Sequence, residues 1–498
     1  MAAVCSLVAQ FVVPGVGSLI VESISKIYEI CQELEENEAM CVSVCKRLEF
    51  VNEELGKITD EEAMRQNRVL FMYGNTIANF IKFLQKQSKK SFLKRLASNR
   101  KVVAAIQDFN EDIDDLYKLL NLVHIQEMSK WKQEWEENRR KQEQMLVTIA
   151  LDQQRVQRDI QNKDGDLLEG LAMLKFEIQH KSKENSIATL ALMKKTFKKV
   201  VRTSKAKVPP TPEWFIASDD VDFDAKNQFD CGSYGSVHRG TWGRGAKVVI
   251  KCLLMDDEQA KDSFFKEVEV WRRLNNPHVV ELFGACHVST PAFFVCEDAI
   301  HGNLADYFET DKSEIWRLFY EAAVGLDYLH EQKVVHGDLK SQSVGLSAKA
   351  QTDTIRWKAP ECLMPMGEEN PDAEHNPRFA SDVFSFGMCI IEAFSNEPPY
   401  GFVDDEVILE AKLEMASYDR PEGFEDDEWA LVERLCDPDW KQRIQLSVAI
   451  NELKRLADRE AERNNEDNTD RVCLGCKAKV AIEFAFCGNC GHQVAPPA

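Results

Sequence analysis

The sequence predicts a multidomain protein in which an all-α helical bundle and brace helices precede an α+β domain and a small zinc-binding module. At 498 residues the chain exceeds the length of one ordinary domain. Apolar residues recur every three or four positions through residues 19–200, which is the pattern of amphipathic helices. Two Cys-x-x-Cys pairs near the end of the chain predict a metal module. The α+β domain is predicted from motifs in the second half of the chain.

Composition and charge exclude some classes of function. The chain is 44% hydrophobic and 29% charged, as in soluble globular proteins. Its net charge of −21 argues against a surface that binds nucleic acid, and no nucleic-acid partner is favoured. The fifteen cysteines form no even framework, and no basic segment precedes the first apolar run, so a cytoplasmic location is predicted. That run, residues 4–21, contains Pro14 and two glycines, which favours a packed helix start over a membrane span.

Four helical stripes predict an up-and-down four-helix bundle over residues 1–128. The apolar positions fall within residues 20–34, 40–58, 70–84 and 102–123. Residues 129–207 continue as brace helices, which would equally suit a coiled-coil seam with another copy, so self-association through residues 1–207 is an expectation. Consecutive prolines then end the helices and open a linker over residues 208–222.

Eight lysines and arginines lie between Lys82 and Lys101 without an intervening acidic residue. One interpretation is a solvated connection between helices. The alternative is a surface for anionic lipid headgroups, with Phe92 and Leu93 as an apolar insert. A peripheral membrane location on activation would follow from the second interpretation.

A glycine-rich turn and a strand ending in lysine lie in the second half. Residues 229–237 read FDCGSYGSV, Val248-Val249-Ile250-Lys251 follows, and Glu267 lies in the next helical stretch. This order resembles the amino-terminal lobe of protein kinases of the tyrosine-kinase-like group, and it predicts a two-lobed kinase fold over residues 223–458. The resemblance implies that ATP contacts the glycine turn, Lys251 and the hinge. The implied nucleotide-binding residues are Gly232, Gly235, Val237, Lys251, Glu297 and Ala299.

The stretch His336-Gly337-Asp338-Leu339-Lys340 resembles a kinase catalytic loop, and residues 359–361 resemble the motif that closes the activation segment. The resemblance implies that Asp338 is the base and that Lys340 neutralises the transferred phosphoryl group, while Glu267 orients Lys251. It also implies that Asp382 fixes the catalytic loop and that Glu361 pairs with Arg443.

Between these two motifs the residues that hold Mg²⁺ are missing. Ser343 stands where a kinase has its catalytic-loop Asn, and Gly345 lacks a preceding Asp-Phe. The Mg²⁺ site is therefore incomplete, and phosphoryl transfer by this chain is predicted to be poor or absent. Either the chain is a pseudokinase, or it is a shortened product of a gene whose full form is active. The clean edges of the gap, with the other catalytic residues intact, favour the second explanation.

Residues 459–471 are charged and predict a helix that fades into a linker. After it, Cys473, Cys476, Cys487 and Cys490 form two knuckles whose spacing predicts one tetrahedral Zn²⁺ site, and residues 472–494 resemble a zinc ribbon. A redox pair is the weaker alternative. The segment is too small to bury a core without a metal ion, and protein contact is its favoured role.

The helical half, the brace and the kinase-like domain occur in the order of the mixed lineage kinase domain-like proteins, which they resemble in layout. The leading function is a signalling Ser/Thr protein kinase acting on protein substrates or partners, impaired in this chain. The alternative is a pseudokinase switch that controls a helical bundle able to self-associate or engage membrane. An adaptor that works through the zinc ribbon is a third hypothesis.

Overall fold

The computed structural model describes the chain in twelve segments. These are residues 26–55, 68–120, 125–161, 164–232, 235–243, 245–254, 258–340, 355–363, 378–472, 475–476, 479–481 and 489–490. The chain divides into two compact units, Met1–Ala217 with Val288–Thr290, and Ser218–His287 with Pro291–Ala498. The first apolar run, residues 4–21, lies outside the described segments. None of the helices in those segments is long and apolar enough to cross a membrane.

The first unit is helical, as the apolar periodicity predicts. After a helical stretch over residues 26–33, its helices are α1 (Glu38–Leu55), α2 (Arg68–Ser88), α3 (Phe92–Leu119), α4 (Ile125–Leu151), α5 (Gln153–Gln161), α6 (Asp164–His180) and α7 (Ile187–Ser204). Serine side chains cap two of them: Ser91 accepts from the Lys94 amide, and Ser186 accepts from the Thr189 amide. The apolar stripes of α1, α2 and α3 form one buried core.

A charged network lies beside that core. The Arg47 guanidinium on α1 donates to the side-chain and main-chain oxygens of Asn110 and pairs with the Asp114 carboxylate, both on α3. The indole of Trp131 on α4 donates to the same carboxylate at 3.1 Å and lies against the guanidinium. A buried ion pair is favourable only when its remaining hydrogen-bonding groups are satisfied. Here residues on three helices provide partners for the two Nη atoms of Arg47 and for the Asp114 carboxylate, while Arg47 Nε has no partner within the described residues.

The basic segment of residues 82–101 is partly enclosed in the helical unit. Lys94 is buried and its Nζ lies 2.9 Å from Glu169 and from Asp166 on α6, while Arg100 pairs with Glu177 and Glu184. Arg95 pairs with Glu36 at 2.6 Å. Phe92 and Leu93 are also buried, so the expectation that they form an apolar insert for membrane is wrong in this structure. Their side chains complete the packing at the first turn of α3 instead.

Part of the predicted linker 208–222 is packed against the helices. Residues Trp214, Phe215, Ile216 and Ala217 are buried, and the Phe215 ring lies 5.6 Å from that of Phe176 on α6. The aromatic residues that follow the prolines bury apolar surface, which would be exposed to water in a solvated linker.

The second unit begins with a five-stranded antiparallel sheet. Its strands are β1 (Val221–Gly232), β2 (Gly235–Trp242), β3 (Ala246–Leu253), β4 (Leu282–Cys286) and β5 (Ala292–Glu297), in the order β1-β2-β3-β5-β4. Helix α8 (Glu258–Trp271) lies between β3 and β4 in the chain. A helical part follows with α9 (Leu304–Thr310), α10 (Ile315–Glu331), α11 (Phe379–Ser395), α12 (Asp405–Leu413), α13 (Asp426–Leu435) and α14 (Leu446–Thr469).

The predicted linker 459–471 is mostly helix, because α14 continues to Thr469. Its charged residues have structural partners: Arg459 pairs with Asp427 and Glu428, and the Glu460 carboxylate accepts from the amides of Trp316 and Arg317 at the start of α10. Strands β6 (Asp470–Val472) and β7 (Lys479–Ala481) then form a two-stranded antiparallel sheet.

Replacing Arg47 with Met should destabilise the helical unit by about 3–5 kcal/mol, because the buried Asp114 carboxylate loses its cation. Hydrogen–deuterium exchange of the α1 and α3 amides measures the free energy of the opening that exposes them. Lys46→Met is the matched control, because Lys46 is exposed on the same helix. Equal exchange in the two variants would contradict the role given to Arg47.

The ion pair between Glu361 and Arg443 predicts a pH dependence in the second unit. Burial raises the pKa of Glu361, but the hydrogen bonds and charge of Arg443 lower it more, so the folded pKa lies below the ordinary value. The carboxylate therefore contributes stability above about pH 4.5 that is lost as pH falls through the folded pKa. The destabilisation caused by Arg443→Met, measured by urea unfolding, should be large at neutral pH and should shrink on acidification. A pH-independent difference would refute this assignment.

Candidate active site

Lys251 and Glu267 meet inside the unit that contains the sheet. The Lys251 Nζ atom on β3 lies 3.3 Å from Glu267 Oε1 on α8, and both side chains are largely buried. Phe264, one turn before Glu267, stacks on Phe294 of β5 with ring centroids 4.6 Å apart, which holds α8 against the sheet. Burial raises the pKa of Glu267, and the Lys251 charge opposes that rise. The pair expected from the sequence is thus present, and it fixes the direction of the Lys251 amine.

The glycine turn lies between β1 and β2. Gly232 and Gly235 are opposite each other at the end of the ladder, and Val237 is paired with Lys251 on β3. A Cβ atom on Gly235 would lie 1.9 Å from the Cys252 carbonyl oxygen, so only glycine fits there. The β1–β2 ladder has a register shift between Gln228 and Asp230, the residue that replaces the first glycine of the usual motif.

The predicted hinge follows β5. Val295 is fully buried on that strand. The Glu297 amide donates to the Glu281 carbonyl at 3.0 Å, and the Ala299 carbonyl accepts from Gly302 at 2.9 Å. Glu297 and Ala299 are exposed where the chain leaves the sheet, which keeps them accessible to a ligand.

A single carboxylate organises the catalytic-loop motif. Asp382 on α11 is 1% exposed, and its oxygens accept from the amides of His336 and Gly337, each at 2.8 Å. The ring of His330 lies 2.9 Å from the same carboxylate. Gly337 has φ of +73°, a conformation that an arginine would adopt only under strain. Burial lowers the pKa of His336 despite the opposing Asp382 charge.

Asp338 and Lys340 follow in the same loop and are both partly buried. The Asp338 amide donates to His336 Nδ1 at 3.3 Å, which fixes the backbone next to the carboxylate. Ser343 and Gly345 lie outside the described residues. Within the described ranges no group of three or more His, Cys, Asp and Glu side chains is arranged to hold a metal ion.

The closing motif of the activation segment is held by Arg443. Its guanidinium contacts both oxygens of Glu361, at 2.7 and 3.2 Å, as the resemblance implies. Ser381 donates to the same carboxylate at 2.8 Å. This geometry secures residues 359–361 to α11, and it confirms the expected contact.

Two residues near that motif were not identified from the sequence. Lys412 is buried, and its amine donates to the carbonyls of Ile355, Arg356 and Lys358 at 2.6–2.8 Å. Burial lowers the pKa of Lys412 to about 7. The only signal for it is its position four residues after buried Ile408 on the apolar face of α12. Arg356, the second of these residues, donates to three loop carbonyls between Pro399 and Val403.

The carboxyl-terminal cysteines are only partly described. Cys476 is half-buried and accepts a hydrogen bond from Asn489 Nδ2 at 3.5 Å, while Cys490 is exposed. Cys473 and Cys487 lie outside the described residues, so only two of the four predicted zinc ligands belong to the described part of the chain.

Residues 223–351 and 341–453 match the model of the family "Protein tyrosine and serine/threonine kinase". The match is therefore divided into two stretches that overlap at residues 341–351. This division falls at the junction where the catalytic-loop Asn and the Asp-Phe-Gly turn are missing from the sequence.

Curated relatives match less than half of the chain. Serine/threonine-protein kinase STY17 of Arabidopsis thaliana is 27% identical over 258 residues, which are 46% of this chain and 43% of STY17. Serine/threonine-protein kinase CTR1 of the same plant is 28% identical over 223 residues, 38% of this chain and 26% of CTR1. Inactive tyrosine-protein kinase 7 of Mus musculus is 26% identical over 244 residues, 41% of this chain and 22% of that protein.

The chain thus spans less than half the length of these relatives. The matched stretch contains the five-stranded sheet, the Lys251–Glu267 pair and the loop held by Asp382. Residues 223–453 are thus similar to the protein kinase domain, and the relatives that match the chain carry the names of both serine/threonine and tyrosine kinases.

Proposed function

We propose that the kinase domain binds ATP but that this chain transfers the γ-phosphate poorly or not at all. The observation that carries the proposal is a contrast. The Lys251–Glu267 ion pair is formed at 3.3 Å, whereas the sequence between Asp338 and Ala359 lacks the residues that hold Mg²⁺. The first feature supports nucleotide binding, and the second removes the metal from catalysis.

The residues present fit a nucleotide. Lys251, oriented by Glu267, would contact the phosphates, and Gly232 and Gly235 would let the turn backbone approach them. Val237 would cover the base, and the main chain of Glu297 and Ala299 at the hinge would supply hydrogen-bonding groups for its edge. ATP would supply the phosphoryl group, and these side chains would hold and orient it.

The residues present do not fit Mg²⁺. Kinases of this family use ATP with Mg²⁺, and the metal is held by an Asn and an Asp that have no counterpart here. Asp338 could still accept a hydroxyl proton and Lys340 could still contact a phosphoryl oxygen. Without the metal, however, the charge that develops in the transition state is insufficiently neutralised, and loss of such an electrostatic contribution lowers rates by orders of magnitude.

The divided family match supports a missing block rather than gradual decay. A domain released from catalysis would be expected to lose Lys251, Glu267, Asp338 and Lys340 one at a time, yet all four are retained. A longer product of the same gene would then be an active protein kinase of the tyrosine-kinase-like group, acting on Ser or Thr hydroxyls of signalling partners.

A second candidate is a non-catalytic switch that controls the helical unit. The similarity to a protein named Inactive tyrosine-protein kinase 7 favours it, as does the incomplete metal site. According to this second candidate function, residues 1–207 self-associate, or residues 82–101 contact an anionic membrane. Since Lys94 and Arg100 are paired with carboxylates of α6, membrane contact would require those ion pairs to open.

The carboxyl-terminal segment is proposed to bind Zn²⁺ through Cys473, Cys476, Cys487 and Cys490. The spacing of the two knuckles supports this proposal. Metal analysis of the purified chain should find one zinc ion that is lost in Cys473→Ser. A zinc-free chain would leave the redox alternative.

The Lys251→Met variant should bind ATP at least about tenfold more weakly, because a charge-assisted contact to the phosphates is removed. Isothermal titration calorimetry of the full chain measures the affinity. Lys247→Met is the matched control, since Lys247 is exposed on the same strand, and its affinity should not change. Adding Mg²⁺ should alter the wild-type affinity little. Equal ATP affinity in Lys251→Met and wild type would contradict the proposed site.

Phosphate transfer from labelled ATP to the chain itself, or to a generic protein substrate, should not exceed that of Asp338→Asn, because the metal ligands are absent. Rapid Mg²⁺-dependent transfer that Asp338→Asn abolishes would refute the proposal.

Sequencing transcripts across the codons for Asp338 to Glu361 distinguishes a shortened product of an active kinase gene from a pseudokinase. A longer form with the Asn and Asp-Phe would be the active kinase, and its absence would favour the switch.

A further inference from the structure

The loop between α11 and α12 exposes apolar side chains on the surface of the kinase domain. Phe402 is 97% exposed, and Val403 and Val407 are 42% and 53% exposed beside it. Phe402 and Val403 line a groove of about 480 Å³, together with Glu397 and Pro398. Single exposed apolar residues are ordinary, but a contiguous patch at a groove marks an interaction surface.

Hydrogen bonds to neighbouring residues fix the conformation of this loop. Tyr400 and Gly401 have φ of +69° and +55°, and a left-handed conformation is costly for tyrosine. The Tyr400 amide donates to the Tyr418 hydroxyl at 2.9 Å. The Arg356 guanidinium donates to the Gly401 and Val403 carbonyls, each at 2.8 Å.

Because the loop is fixed from both sides, Phe402 is presented to solvent in a defined direction. A preorganised apolar anchor binds a partner with little loss of conformational entropy. Because the Phe402 side chain is almost fully exposed, it contributes almost nothing to the core of the domain. Packing of the core therefore does not explain its position.

The charge around the patch indicates the kind of partner. Glu397, Asp404 and Glu406 are exposed beside the patch, and Asp405 is a fourth carboxylate next to them. Within the described part of the chain, Asp405 is the only one of the four that pairs with a cation, which is Arg356. The rim is therefore strongly acidic. Complementary charge steers association and selects partners, so a basic segment is favoured and an acidic one is repelled.

We infer that this surface docks a protein segment that carries a large apolar residue flanked by Lys or Arg. The apolar residue packs against Phe402, Val403 and Val407, and the basic residues meet Glu397 and Asp404. The inference goes beyond the proposed function and does not depend on ATP or on phosphoryl transfer. Residues 355–358 supply Arg356 to the loop, so the docked segment lies beside the end of the activation segment.

Selection from a library of random displayed peptides on the full chain tests the inference. The double variant Phe402→Ser/Val407→Ser serves for counter-selection. Enriched peptides should combine Phe, Leu or Ile with Lys or Arg. A synthetic peptide with the enriched sequence, measured by fluorescence anisotropy, should bind the double variant at least about tenfold more weakly, since apolar anchors carry most of such binding energy.

Charge and folding controls complete the test. Asp404→Lys should weaken binding of the peptide, and added salt should weaken its binding to the wild-type chain. Val448→Ser, which removes an exposed valine from α14, should change neither affinity nor unfolding midpoint. The urea midpoint of the double variant should equal that of wild type, because the replaced side chains are exposed.

Three results would overturn the inference. The first is that no peptide is enriched, or that those enriched are acidic. The second is that the peptide binds the double variant as tightly as the wild type. The third is that the chain sediments as a dimer which the double variant dissociates, because the patch would then be covered by a second copy.

Discussion

The buried carboxylate of Asp382 is the constraint on which the catalytic region depends. A carboxylate with 1% exposure is costly unless its oxygens are occupied, and here two backbone amides and a histidine ring occupy them. The amides belong to His336 and Gly337, so satisfying one acid on α11 fixes the backbone that leads into Asp338. The same helix lies next to Glu361 through Ser381. Electrostatic necessity thus gives the loop its shape, and that shape persists whether or not chemistry follows.

The helical unit follows the same rule, with both members of each ion pair enclosed. Its buried arginines and lysines are neutralised by buried acidic residues on distant helices. Lys94 with Glu169 and Arg47 with Asp114 each join helices that are far apart in sequence. Removing either member would leave a charge in a low-dielectric interior, so these pairs specify which helices pack together more than they add to stability.

Much of the kinase domain could be predicted from the sequence because its key residues lie in local motifs. The positions of Lys251, Glu267, Asp382 and the Glu361–Arg443 pair follow from short patterns that place each on a strand, helix or loop. The helices of the first unit followed from periodicity alone. The metal-site gap was also visible, because an expected residue type can be seen to be missing from a motif.

Long-range contacts could not be predicted in the same way. Nothing near Lys94 in the sequence indicates that acidic residues more than seventy positions later enclose it. Lys412 resembles an ordinary surface lysine until the carbonyls of residues 355–358 are placed around its amine. Charged residues such as Arg459 and Glu460 resemble a linker when their partners are unknown, and they proved to extend α14. Pairing of this kind depends on tertiary geometry, which a one-dimensional pattern does not contain.

The anchoring of both sides of the junction has an evolutionary consequence. Asp382 secures the chain up to Gly337, and Lys412, Arg356 and Arg443 secure it again from Ile355 to Glu361. The segment between these anchors is joined to the domain at two independently fixed ends. Loop closure depends only weakly on length, so a splicing event or gene rearrangement can shorten this segment without disturbing either anchor. The folded domain and its surfaces therefore do not depend on the length of this segment.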